Sequence, residues 1–150
     1  MAKYIIIGVV LVMGYFLFIK DPYPSDIYFQ GVQLGSKQDN NNSLNKNVDI
    51  FSYRDSTNNH VLLLALVNDS PSVTVEGITS QYIARFESQG LKFQQEGSRY
   101  LGVMSDIVMY VAVAKNMNAF IAYTEKGGGS TPRSVNEASD IFSDLENFSL

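Results

Sequence analysis

Residues 4–19 (YIIIGVVLVMGYFLFI) are uncharged, mostly apolar, and framed by Lys3 and Lys20. A helix of that length spans roughly 24 Å, a little less than the roughly 30 Å hydrocarbon core of a bilayer. Lys3 and Lys20 extend the reach by snorkelling to the headgroups, and Tyr4, Tyr15 and Tyr23 suit the interfacial belts. The segment is apolar all round, which disfavours a surface helix of a globular core. We therefore expect an uncleaved membrane anchor formed by Tyr4, Ile5, Ile6, Ile7, Val9, Val10, Leu11, Val12, Tyr15, Phe16, Leu17, Phe18 and Ile19. A cleaved signal peptide competes with this reading. It needs small residues before the cut, whereas this stretch leaves through Phe18, Ile19, Lys20, Asp21 and Pro22.

Orientation follows from few charges. A short N-terminal flank with Lys3, followed by a first apolar helix, favours a signal-anchor with the main domain outside the cytoplasm. In a Gram-negative bacterium that means the inner membrane, with the domain in the periplasm. The expected division is an anchor at 1–20, a Pro-containing spacer at 21–26, an α+β domain at 27–126, a Gly/Ser linker at 127–133 and an amphipathic C-terminal helix at 134–150.

Charge narrows the partners. The chain has 11 basic and 15 acidic residues, a net charge of −4. Setting aside Lys3 and Lys20 leaves nine basic residues against 15 acidic, or −6, for the remainder. An acidic domain is unsuited to nucleic acid, which requires clustered Lys and Arg. There is no cysteine, so disulfides, thiol catalysis and lipidation at cysteine are excluded.

Beyond the spacer, residues 27–34 (IYFQGVQL) read as a first strand and 35–47 as a polar loop. The alternation in 48–53 (VDIFSY) predicts a half-buried strand. The apolar run 60–67 (HVLLLALV) predicts a central one buried on both faces. Val75, Ile78, Tyr82 and Phe86 recur at helical spacing with Ile83 beside them, and Gly90 follows as a stop. Strands are expected at 91–95, 100–104, 107–114 and 119–124, the last two joined by a short hairpin loop at 115–118. The fold class is α+β, a mainly antiparallel sheet covered on one side by a helix. Ser134 and Glu137 form an S-x-x-E capping box. Val135, Ala138, Ile141, Phe142, Leu145 and Phe148 then make an apolar stripe on a helix marginal by itself in water. That stripe has two possible destinations, a partner's groove or its own domain. We take it as the candidate partner-binding surface.

Catalytic constellations are weak. His60 is the sole histidine and stands as a strand-edge residue. Asp39, Asn41, Ser43, Asn45 and Asn47 alternate like calcium ligands. However, Leu44 occupies the position that needs glycine and Ile50 the position that needs a bidentate glutamate. The glycines at 127–129 lack a phosphate-loop pattern. Nine Tyr and nine Phe, with no Trp, fit core packing. The expectation is a non-catalytic accessory or structural subunit of a membrane protein complex, with no cofactor and no metal. It would contact the lipid bilayer through residues 4–19 and a protein partner through its domain and C-terminal helix. The alternative is a membrane-tethered ligand-binding or envelope-sensing module.

Overall fold

A computed structural model describes residues 24–40, 48–68, 73–127 and 131–150. Eight strands form one antiparallel sheet. They are β1 (Ile27–Phe29), β2 (Val32–Asn40), β3 (Val48–Arg54), β4 (His60–Val67), β5 (Lys92–Glu96), β6 (Arg99–Met104), β7 (Ile107–Ala114) and β8 (Ala119–Lys126). The order across the sheet is β1-β2-β3-β4-β8-β7-β6-β5. Two four-stranded meanders therefore meet along one seam, where Leu62 faces Tyr123 and Leu64 faces Ile121. Helix α1 (Val75–Ser88) carries the chain from the central strand β4 to the far edge, where β5 begins the second meander.

The first expected strand is a hairpin. Gln30 and Gly31 both take positive φ, 53° and 74°. Two consecutive left-handed residues make the tight turn whose twist matches an antiparallel pair. β1 folds back on β2 with Phe29 opposite Val32. β2 then continues through Asn40, into what the sequence reads as loop. Its polar residues belong to a ladder, with Asp39 opposite Phe51 and Asn40 opposite Ile50. Backbone pairing with β3 holds that stretch extended despite its poor strand propensity.

The sheet is covered on both faces, not one. Alternate residues of the strands point to opposite sides. On the first face lie Phe51, Tyr53, Leu62, Leu64, Leu101, Tyr110, Ile121 and Tyr123. A 3₁₀ turn (Asn136–Ala138) and helix α2 (Ser139–Glu146) cover them, inserting Val135, Ala138, Phe142 and Leu145. On the second face, Val48, Ala65, Val67, Met109, Val111, Phe120 and Ala122 meet Val75, Ile78 and Ile83 of α1. Thr74 caps α1 by accepting a hydrogen bond from the Gly77 amide at 3.1 Å. Such a cap satisfies one of the free amides of the first turn. Gly90, at φ +110°, ends the turn after the helix, and Phe93 lies against Gly102, where any Cβ would collide with its ring.

Candidate functional site

One polar cluster sits where β3 passes into β4 beside the end of β8. The Asp55 carboxylate accepts from Thr57 Oγ1 at 2.6 Å and from the His60 amide at 3.1 Å. Slight burial pushes the Asp55 pKa up, but these bonds and the nearby His60 outweigh it and hold the carboxyl below its ordinary value. His60 Nδ1 lies 2.9 Å from the Tyr123 hydroxyl. Tyr123 is fully excluded from solvent. Burial first, then the charge of Glu125 and a hydrogen bond to it, push its phenol strongly up. Which of the two atoms donates in the His60–Tyr123 contact follows the imidazole tautomer. Tyr110, stacked on Tyr123 at 6.1 Å between ring centroids, is pushed up to about 12 by burial and by Glu125.

Hydrogen bonds within this constellation hold Asp55, His60 and Tyr123 in fixed relative positions. Asp55 bonds the His60 amide rather than its ring, so no carboxylate–imidazole–hydroxyl relay is formed. Both phenols stay neutral across physiological pH. Tyr53 completes the buried tyrosine set and donates to the Pro24 carbonyl at 2.9 Å, fixing the start of the domain to its core.

The C-terminal segment is fastened at several points. Ser134 Oγ accepts from the Glu137 amide at 3.3 Å, and Glu137 reaches back to the Arg133 amide at 2.6 Å. The expected capping box is present in a form displaced by one residue, and it begins a 3₁₀ turn before the eight-residue α2. Arg99 grips Glu146 with two hydrogen bonds, at 2.7 and 3.1 Å. That contact holds the Glu146 carboxyl below its usual range, outweighing its partial burial. Gln30 donates to Asp144, and the Lys115 amide to the Glu146 carbonyl.

Of the six residues expected to meet a partner, Val135, Ala138, Phe142 and Leu145 are buried in the domain's own core. Ile141 and Phe148 pack partly against it. The stripe thus takes the second of its two destinations, because the aromatic face of the sheet offers a cover within the same chain. What the 3₁₀ turn and α2 leave outward is polar, chiefly Glu137 of the turn and Asp140 and Asp144 of the helix.

The remaining candidates do not converge. An open concavity of about 330 Å³ is lined by Glu96, Gly97, Ser98, Arg99 and Val135, and its one cation is already paired with Glu146. Among the described residues no group of three or more His, Asp or Glu is placed to hold a metal. Asp39 falls on β2, while Asn41, Ser43, Asn45 and Asn47 lie outside the described residues, as do most of the linker glycines. The anchor residues 4–19 also lie outside them, and no described helix is long and apolar enough to cross a membrane.

The expected core packing of aromatic residues holds for Tyr53, Tyr110 and Tyr123, which are buried. Sequence reasoning missed the Tyr123–His60 contact and the Arg99–Glu146 clamp, because their partners lie far apart in the chain. Compared with known proteins, the chain matches no family model, no curated protein and no solved structure.

Proposed function

We propose that the chain is a non-catalytic, membrane-anchored accessory or structural subunit of a larger membrane protein complex. The observation that carries this reading is the uncharged stretch 4–19 between Lys3 and Lys20, placed just ahead of a domain with a two-faced core. The domain lies on the extracytoplasmic side, and it acts through protein–protein contacts. Since the apolar stripe of α2 is covered by the sheet, the contact offered by the C-terminal segment is its outward polar side. Glu137, Asp140 and Asp144 give that side an acidic character suited to a basic partner surface.

The test is extraction in mild detergent followed by identification of chains that co-purify in fixed ratio. Recovery of the protein alone, as a monomer, overturns the reading. The alternative of a ligand-binding or envelope-sensing module is favoured by the concavity beside Arg99. A bound small molecule, lost when Ser98 is replaced by a bulky residue, would select it.

A further inference from the structure

The sheet has two unlike edges. β1 is three residues long, and a very short strand is one way to blunt an edge. At the other edge, β5 pairs with β6 in unbroken register from Lys92 to Glu96. It holds no proline and no bulge, and all its residues except half-buried Phe93 are exposed.

The turn fixes which backbone groups this edge leaves open. Gly97, at φ +62°, and Ser98 connect Glu96 to Arg99. A two-residue turn closes on a pair that exchanges both backbone hydrogen bonds, and bonded and non-bonded pairs alternate from there. The amides and carbonyls of Lys92, Gln94 and Glu96 thus face β6, while those of Phe93 and Gln95 face outward. Among the described residues, no backbone group outside the hairpin bonds to Phe93 or Gln95.

A second copy of the strand, running antiparallel, fits these groups in one register. With Gln94 opposite Gln94 of the copy, Phe93 stands opposite Gln95 and exchanges both backbone bonds with it. Lys92 then stands opposite Glu96 in a non-bonded pair, where side chains come closest and opposite charges attract. Within one chain these two residues lie four apart on the strand, a separation of roughly 13 Å. Neither is in a salt bridge among the described residues, and Arg99, opposite Glu96, is already held by Glu146. Sliding the copy by two residues loses the Lys–Glu pairs. Hydrogen-bond parity, charge and twofold symmetry therefore select the same alignment.

We infer that β5 is the contact between two copies of this chain, joined edge to edge about a twofold axis at Gln94 into one continuous sheet. The pairing is independent of whether residues 4–19 cross a membrane. A five-residue ladder is a small interface, so the dimer is weak and concentration-dependent.

The chain contains no cysteine, so a single introduced thiol is a unique reporter. The full chain in detergent solution is oxidised with copper–phenanthroline as Gln94→Cys, Gln95→Cys and Ser98→Cys, all exposed positions of the same hairpin. Each variant is matched to the parent by far-ultraviolet circular dichroism, and each rate is normalised to that thiol's reaction with a small alkylating reagent. Gln94→Cys should form the disulfide dimer fastest, because facing non-bonded residues lie about 4.5 Å apart. The two Gln95 positions lie on a diagonal of about 7–8 Å, outside disulfide reach, and the two Ser98 positions lie farther still. Adding Lys92→Glu or Glu96→Lys to Gln94→Cys should slow trapping several-fold, and adding both should restore it. Equal rates at the three positions overturn the inference, as does a trapping rate indifferent to charge reversal or one that the double reversal fails to restore. No dimer at Gln94→Cys also overturns it and leaves the edge to a strand of another protein.

Discussion

Under α2, Phe142 and Leu145 are wholly excluded from solvent, and they meet an aromatic surface of Phe29, Phe51, Tyr53, Tyr110 and Tyr123. Under α1, Ile78 and Ile83 each keep 7% exposure, and the strand residues beneath them are mainly aliphatic or small. The shorter helix has the tighter seat. Eight residues of α2 are too few for a stable helix in water, so its existence depends on Phe142 and on the clamp to Arg99. The longer α1 brings its own cap at Thr74 and needs less from the sheet. Helix length and dependence on tertiary contacts run in opposite directions here.

The largest test of that contrast is Phe142→Ala. Removing a fully buried phenyl ring should cost about 3–5 kcal/mol, read as a fall in the urea midpoint of the domain. A loss below about 1 kcal/mol would mean that α2 is not part of the cooperative core. Ile83→Ala on the opposite face should cost about 2–3 kcal/mol. If it equalled Phe142→Ala, the two faces would be equivalent and the contrast would fail.

Alkali should also strike the α2 face first. Tyr110 and Tyr123 have folded-state pKa values raised above the ordinary value of 10.0. The stability they contribute is fully present below pH 10 and is lost as pH rises through about 12 for Tyr110. Absorbance at the phenolate band should show these two ionising only with unfolding. Ionisation at pH 10 in a folded domain would contradict their burial.

The smallest effect concerns the clamp. Glu146→Gln should cost about 1 kcal/mol at neutral pH. Because the folded carboxyl is held below its ordinary value of 4.5, its contribution is present above that value and is lost as pH falls through the lower folded pKa. The stabilities of wild type and Glu146→Gln should therefore converge in acid. A constant difference down to low pH would assign the effect to packing instead of charge.

Local pattern made some elements readable. The apolar runs of β4 and β7 have the bounds their composition predicts, and α1 follows the spacing of Val75, Ile78 and Ile83 up to the glycine stop. The β1–β2 hairpin was obscured because Gln30 is an uncommon residue at a left-handed turn position. The polar half of β2 is extended only because β3 lies beside it. The destination of the C-terminal stripe was likewise undecidable locally. An amphipathic helix carries the same pattern whether its cover is another chain or its own sheet. The tyrosine–histidine cluster depends on the β4–β8 seam, which joins segments from opposite halves of the chain.

That seam has a consequence for biosynthesis. β4, the most hydrophobic strand of the first meander, emerges from the ribosome long before β8, the neighbour that completes it. Until β8 arrives, the leucine-rich edge of β4 carries unpaired amides and carbonyls, a template for misassociation with other nascent chains. The last step of assembly also closes the longest loop in the sheet, a costly non-local contact that slows folding. A tether that confines the new chain to a membrane surface, or a chaperone that shields β4, would act in that interval, when half a sheet waits for its other half.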